Sequence, residues 1–321
     1  MLKAGAHRFS VPDAKSEITF KKILLPTDFC ECEEPAWLFA LHLAALHDGE
    51  VIVQHVVKDD IPRFAHAAVV CDESEVEKHL VTAADNEMKN LVGHLEGGVS
   101  VRRVLAKGRV VEEICALAEA EDVDLIVMGA ADGGIAGKVL RSTSRPVLTF
   151  PVPPATGSVS ETFKVKSILL ATDLSAHSRE LVRYAFELKK IFDASIHLLY
   201  VIETTQAIEF AIKHGQPSHT VAKMKEWALQ ELRNLIPTEF ADDPGVDLSV
   251  ERGSVTQVIA AKVLEIDGCL TVLGTHRRGL THPHFRGATR DRLSARVDSP
   301  VLSKNPMRIS ESRSIAVPLP R

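Results

Sequence analysis

The chain lacks a long hydrophobic run and a strong net charge, and these two absences argue against a membrane-spanning protein and against one that coats nucleic acid. No apolar stretch in its 321 residues approaches the roughly 18 residues of a membrane-spanning helix. The N-terminal stretch MLKAGAHRFSVPDAK has no apolar core of a signal peptide. A formal net charge of −5 gives no support for a protein that coats nucleic acid or an anionic membrane. We therefore expect a cytoplasmic protein that partners neither nucleic acid nor a membrane.

Cysteine is also scarce, with five residues in the chain. An odd number of cysteines in a chain of this size argues against a disulfide framework. Cys115 and Cys269 lie in apolar contexts, where a buried free thiol is the usual state. Cys30 and Cys32 follow an apolar run, and a redox or metal role is conceivable there. Because the usual redox pair is C-x-x-C, we expect exposed incidental thiols.

What the sequence does contain is a repeat. The stretch ILLPTDF at 23–29 returns as ILLATDL at 168–174, an offset of 145 residues. The same offset aligns HVV at 55–57 with YVI at 200–202, Gly108 of KGRVVEEI with Gly253 of RGSVTQVI, and Gly129 of DLIVMG with Gly274 of CLTVLG. Chance does not hold one register over about a hundred residues, so the chain is a duplicated domain.

Each copy is predicted to alternate strands with helices. Lys22 to Pro26 is an apolar run too short for a helix, whereas 33–47 places apolar residues at helical spacing. The first copy should carry strands at 22–26, 50–57, 99–106, 124–129 and 146–150, and helices at 33–47, 73–95 and 110–120. This order predicts a parallel sheet covered on both faces. The fold class is therefore α/β, with two tandem doubly wound parallel-sheet sandwiches of five strands each.

Composition sets the domain boundaries. We place the first domain at 20–150 and the second at 164–304. The segment 151–163 between them is rich in Pro, Gly and Ser, which is typical of a linker. Residues 305–321 show no periodicity, so we expect a loose C-terminal tail.

The repeated motifs resemble the universal stress protein family. They are the Thr-Asp after the first strand, HVV, the KG-x-V-x-x-x-I segment, DLIVMG and the closing PVL, and they cover about 22–150 and 166–304. The resemblance implies a tandem member with the universal stress protein and adenine nucleotide alpha hydrolase-like fold. It also implies that the two domains pack as a pseudo-dimer near the PVL strands, since an apolar edge strand needs a partner. A homodimer and unknown protein partners are further possibilities.

The resemblance implies an adenine-nucleotide site. The family pattern is a glycine after the fourth strand, two residues, a second glycine, nine residues, then Gly-Ser or Gly-Thr. Glycines let the backbone approach phosphate oxygens, and a helix N-terminus offers free N–H groups. In the second copy the matching positions are Thr172, Asp173, Val201, Leu273, Gly274, Arg277, Gly287, Ala288 and Thr289. The implied ligand is ATP, with Mg²⁺ as a possible companion.

The second copy departs from this pattern at two positions. Arg277 stands where the family has its second glycine, and Ala288 stands where Ser or Thr is expected, with Thr289 one place late. Arg277 either blocks the close backbone approach, or supplies a guanidinium to the phosphates, or is a solvated loop residue. Its role stays open at the level of sequence.

The first copy departs further. The PVL segments lie 154 residues apart, so nine residues of the phosphate loop are missing between Gly129 and Pro146. Asp132 stands at the second-glycine position, where a carboxylate repels phosphate. We therefore expect Asp28, Val56, Gly129 and Asp132 to line a degenerate pocket that does not bind ATP in the family manner.

Each candidate residue also has a plain structural interpretation. Asp28 and Asp173 could simply complete a turn or cap the next helix. His276, His282 and His284 lie close together, but no nearby Cys or carboxylate gives a recognised zinc spacing, so we predict no metal site.

The sequence leaves two functions open and makes a third improbable. The leading function is a stress-response regulator that binds an adenine nucleotide in the second domain only. The alternative is a nucleotide-free interaction or small-ligand scaffold in which both pockets are degenerate. No carboxylate pair or nucleophile–base arrangement stands at useful spacing, so we predict no enzyme, at most a slow ATPase.

Overall fold

Each copy folds as alternating strands and helices. The computed structural model describes residues 18–30, 33–58, 73–95, 98–130, 134–151, 164–203, 218–274 and 299–304. The first copy contains β1 (Lys22–Pro26), α1 (Glu34–Leu46), β2 (Glu50–Lys58), α2 (Glu73–Leu95), β3 (Ser100–Gly108), α3 (Val110–Ala120), β4 (Leu125–Ala130), α4 (Ile135–Ser142) and β5 (Val147–Pro151).

The second copy repeats this order. It contains β6 (Ser167–Thr172), α5 (Ala176–Phe192), β7 (Ser195–Glu203), α6 (Ser218–Leu235), a 3₁₀ turn (Thr238–Phe240), β8 (Val246–Gly253), α7 (Val255–Glu265), β9 (Cys269–Gly274) and β10 (Val301–Lys304). None of the helices in the described ranges is long and apolar enough to cross a membrane.

Most elements predicted for the first copy lie within two residues of their observed ends, and α4 is the exception. No helix was predicted at Ile135–Ser142, because eight residues with an internal glycine give a weak helical signal. The helix is nevertheless held by burial: Ala136, Val139 and Leu140 pack into the core beneath the sheet. Tertiary packing rather than local propensity therefore stabilises this element.

The strands of both copies form one sheet with the order β3-β2-β1-β4-β5-β10-β9-β6-β7-β8. Within each copy neighbouring strands are parallel. The copies meet through β5 and β10, which pair antiparallel with Leu148 opposite Leu302. This confirms both the fold class and the expected pairing through the PVL strands. Because the seam is antiparallel, the carboxyl ends of the two sets of strands lie on opposite edges of the sheet.

The two copies share one hydrophobic core on one face of the sheet. Helices α1 and α2 of the first copy and α5 and α6 of the second contribute to it. The rings of Phe39 in α1 and Phe192 in α5 lie 5.5 Å apart across the boundary. On the opposite face each copy has a separate core, under α3 and α4 in the first and under α7 in the second.

The strand order creates a crevice in each copy. β1 lies between β2 and β4, and β6 lies between β7 and β9. The connections that follow β1 and β4 therefore run in opposite directions along the sheet, and so do those that follow β6 and β9. Ligands of doubly wound sheets bind at the carboxyl ends of the strands on either side of such a point. The candidate sites are therefore at the ends of β1 and β4 and at the ends of β6 and β9.

Candidate functional site

The aspartate after the first strand of each copy closes a turn. An oxygen of the Asp28 carboxylate accepts a hydrogen bond from the backbone N–H of Cys30 at 3.0 Å. Asp173 accepts from the N–H of Ser175 in the same way, also at 3.0 Å. This confirms the turn interpretation for both residues. The turn uses one carboxylate oxygen of each aspartate, so it does not by itself decide whether Asp173 also contacts a ligand.

The threonine before that aspartate holds the next residue in an uncommon backbone conformation. Phe29 has φ of 66° and Leu174 has φ of 61°, the left-handed region that L-residues rarely adopt. In each case the backbone N–H donates to the threonine hydroxyl, Thr27 at 2.9 Å and Thr172 at 3.0 Å. Both copies therefore keep the same strained loop at the carboxyl end of their first strand.

The first-copy crevice is filled by Glu33, a residue that the sequence analysis missed. The hydroxyl of Thr27 donates to a carboxylate oxygen of Glu33 at 2.7 Å, and Glu33 is 9% exposed. A Cβ atom placed on Gly129 would lie 3.2 Å from Cγ of Glu33. The carboxyl group thus lies over the ends of β1 and β4. At the 145-residue offset the second copy has Ser178, and this acid-for-serine difference is the signal that could have revealed it.

The surroundings of Glu33 make it a weak acid. Burial raises the pKa of Glu33 from 4.5 to about 7, and the nearby Asp28 carboxylate adds to the rise. The hydrogen bond from Thr27 opposes this shift without cancelling it. Near neutral pH this group is therefore partly ionised, and its charge repels an anionic phosphate from Gly129.

The two copies also differ at the end of their second strand. In the first, Nδ1 of His55 lies 2.8 Å from the carbonyl oxygen of Thr27, so this nitrogen carries the proton, and the ring stacks on Phe29 at 4.3 Å. In the second, Tyr200 takes the place of His55 and contacts Trp227 edge to face at 6.3 Å. The next residue is buried Val56 in the first copy and half-buried Val201 in the second.

The second copy brings five of the predicted residues to one edge of the sheet. Strands β7, β6 and β9 are neighbours, and their carboxyl ends carry Thr172, Asp173, Val201, Leu273 and Gly274. Thr172 and Leu273 are buried, whereas Gly274 is exposed. In the first copy Asp28, Val56 and Gly129 occupy the matching strand ends. Asp132, Arg277, Gly287, Ala288, Thr289 and the three loop histidines lie outside the described residues.

One expectation about the cysteines is wrong. Cys30 is disulfide-bonded rather than an incidental free thiol, whereas Cys115 and Cys269 are free. Residue spacing alone cannot show which side chains meet across a loop, which is why the bond was not predicted. The free state expected of Cys115 and Cys269 is confirmed, and burial raises the pKa of each thiol to about 11.

Comparison with known proteins identifies the family. The model of the universal stress protein family matches residues 19–153 and again residues 164–303. The chain belongs to the universal stress protein family. It carries two domains of this family in tandem, as the sequence resemblance implied.

The two relatives below match less than half of this universal stress protein, whereas the solved structure matches most of it. Universal stress protein MJ0577 of Methanocaldococcus jannaschii is 32% identical over a 153-residue alignment that covers 41% of this chain and 94% of that protein. A universal stress protein of Methanothermobacter thermautotrophicus is 32% identical over 136 residues, 41% of this chain and 90% of that protein. A universal stress protein structure from Archaeoglobus fulgidus matches at 20% identity with a TM-score of 0.63, covering 90% of this chain and 97% of that one. The structural match extends over both domains and supports the fold.

Proposed function

We propose that this universal stress protein is a cytoplasmic stress-response regulator that binds ATP, or another adenine nucleotide, in its second domain only. The observation that carries the proposal is the difference between the two crevices. Glu33 places a carboxyl group over Gly129 in the first domain, whereas Ser178 stands at the matching position in the second. Family membership supports a nucleotide as the ligand of whichever crevice can accept one.

The residues at the second crevice fit a nucleotide chemically. Gly274 has no side chain and is exposed at the end of β9, so its backbone is open to a close approach by a phosphate. Thr172 holds the turn through its buried hydroxyl, and Asp173 beside it has a carboxylate suited to a ribose or a base edge. Beyond Gly274, Arg277 would supply a cation, while Ala288 supplies no hydroxyl. Mg²⁺ would accompany ATP through its phosphates rather than through a built protein cage.

The first domain acts in this proposal as a structural partner. Its crevice is closed to phosphate by Glu33, and its loop is nine residues shorter than that of the second domain. We propose binding rather than catalysis, at most with slow ATP hydrolysis. The second candidate function is a nucleotide-free scaffold, which the departures at Arg277 and Ala288 favour.

Calorimetric titration with ATP and Mg²⁺ tests the proposal. The full chain is compared with the Gly287→Glu variant, which adds a negative charge to the predicted phosphate loop. The control is Asn90→Glu, which adds the same charge at an exposed position of α2 in the first domain. We expect one site per chain, lost in Gly287→Glu and kept in Asn90→Glu.

Two results would contradict the proposal in different ways. Two sites per chain would mean that the first crevice also accepts a nucleotide despite Glu33. No heat at high micromolar ATP, with folding confirmed by circular dichroism, would leave the nucleotide-free scaffold, and its partner would then be sought by pull-down.

A further inference from the structure

A buried lysine lies beside the glycine that opens the second-domain loop. Lys304 is the last residue of β10 and is 8% exposed. It pairs in parallel register with Gly274 of β9, so one strand spacing, about 4.8 Å, separates their backbones. The backbone of a residue that carries an ammonium group on a flexible four-carbon chain therefore lies next to Gly274, where the predicted phosphate loop begins.

The helix that follows the Asp173 turn holds this lysine. Nζ of Lys304 forms a hydrogen-bonded ion pair with Glu180 of α5. It also lies 5.4 Å from the centre of the Tyr184 ring, one helical turn further along α5. The Glu180 side chain is 43% exposed, so it can turn toward solvent, whereas the Lys304 side chain is enclosed.

The first domain shows that packing does not require these polar groups. At the positions equivalent to Glu180 and Tyr184 it has Pro35 and Phe39. In the place of Lys304 it has Phe150, which pairs in register with Gly129. The Phe39 and Phe150 rings contact each other at 5.3 Å.

The ion pair of Lys304 and Glu180 occurs in one domain and is replaced in the other. Burying the Lys304 ammonium group costs desolvation that an ion pair with the half-exposed Glu180 only partly offsets, and an aromatic contact fills the same space in the other copy. The charged version occurs in the domain whose loop keeps the family spacing. The aromatic version occurs in the domain that has lost nine loop residues and has Glu33 over its glycine. The difference points to an anion rather than to stability.

We propose that Lys304 contacts the phosphates of the nucleotide in the second domain, and that Glu180 holds its ammonium group until the ligand arrives. This inference rests on the proposed function and assigns it a phosphate-binding residue. Phosphate oxygens and the Glu180 carboxylate compete for the same N–H donors, so Glu180 lowers nucleotide affinity. The ligand is therefore a nucleoside di- or triphosphate rather than a nucleoside.

Titration of ATP and of adenosine into four full-length proteins tests this. They are the wild type, Lys304→Met, Glu180→Gln and the double variant. We expect Lys304→Met to weaken ATP binding about tenfold, the size of effect of one charge-assisted hydrogen bond, and to leave adenosine binding unchanged. Glu180→Gln should tighten ATP binding about threefold by removing the competitor. The double variant should match Lys304→Met, because Glu180 acts only through the lysine.

Lys189→Met is the matched control. Lys189 is also 8% exposed and ion-paired, to Asp243 at 2.9 Å, but it lies near the other end of α5, away from the carboxyl edge. It should leave the ratio of ATP to adenosine affinity at the wild-type value. A purely structural role for Lys304 would give the same result as this control and would overturn the inference.

The outcomes separate this inference from the proposed function. A folded wild type that binds no ATP overturns both. A wild type that binds ATP, with Lys304→Met equal to it in ATP affinity, overturns only the role of Lys304. Should Lys304→Met fail to fold, Glu180→Gln decides: tighter ATP binding at constant adenosine affinity supports the inference, and unchanged ATP binding overturns it.

Discussion

Glu33 links the stability of the first domain to pH. Its pKa is about 7 in the folded chain against 4.5 when it is not buried, so the folded state holds more protons at this group between these values. The free energy of unfolding therefore falls as pH rises from about 4.5 through about 7, and the loss is complete above that range. A shift of this size corresponds to a loss on the order of 3 kcal/mol.

The Glu33→Gln variant should remove this pH dependence. An amide keeps an oxygen to accept the Thr27 hydroxyl hydrogen but cannot ionise. We expect the variant and the wild type to unfold at similar urea concentrations near pH 4.5. At pH 8 the variant should be more stable by about 3 kcal/mol. Glu87→Gln, at an exposed position of α2, is the control and should follow the wild type. Parallel curves for Glu33→Gln and the wild type would contradict the prediction.

The two turn aspartates form a matched pair for ligand binding. Asparagine keeps the side-chain oxygen that accepts the N–H two residues on, so neither Asp28→Asn nor Asp173→Asn should change stability by more than about 0.5 kcal/mol. If only the second domain binds nucleotide, Asp173→Asn should weaken ATP binding about tenfold and Asp28→Asn should not. Equal affinities in all three proteins, measured by calorimetry, would remove Asp173 from the site.

At the scale of elements, the junction from the third strand to the third helix is the same in both copies. Gly108 ends β3 and Gly253 ends β8, and each has φ of 150°, where L-residues are strained. The space around them differs. A Cβ on Gly108 would lie 2.7 Å from a flexible Glu113 oxygen, and one on Gly253 would lie 3.1 Å from a Val258 methyl group. The shared feature is thus the backbone conformation.

Gly108→Ala and Gly253→Ala should each lower the free energy of unfolding by about 2 kcal/mol. Denaturant titration of the two variants measures the losses. Similar losses would identify backbone strain as the cause, because only φ is common to the two sites. A loss at one site alone would instead assign the cost to its local contact.

At the scale of the whole molecule, the two domains should unfold as one unit. β5 and β10 join their sheets, and a single core runs under α1, α2, α5 and α6. Phe39 and Phe192 contact each other across the domain boundary within this core. Because neither domain can lose this face without exposing the other, one cooperative transition is expected rather than two.

A double-mutant cycle of Phe39→Leu and Phe192→Leu measures this coupling. We expect an interaction free energy of about 1 kcal/mol, typical of an aromatic pair in contact. The Phe186–Phe240 pair, at 4.9 Å within the second domain, provides a reference value. Strict additivity for Phe39 and Phe192, with coupling in the reference pair, would mean that the domains do not dock through these rings.

The sequence by itself determined the duplication, the alternation of strands and helices, and the family. Those features are recorded in neighbouring residues: β1 is a short apolar run, α2 has a regular helical period, and the offset of 145 residues recurs. Helix α4 was not predicted, because its eight residues are too few to show a helical period. The turns at Asp28 and Asp173 were among the alternatives that the sequence left open, because a turn depends on neighbouring residues.

Only the tertiary structure decided what surrounds each crevice. Glu33 meets Gly129 because β1 and β4 are neighbours in the sheet, and Lys304 meets Gly274 because β10 pairs with β9 in one register. Neither contact follows from spacing along the chain, since strand order and register determine which distant residues meet. In the sequence, only the loops indicated that the candidate sites of the two domains differ. In the structure, this difference also depends on packing between residues far apart in sequence.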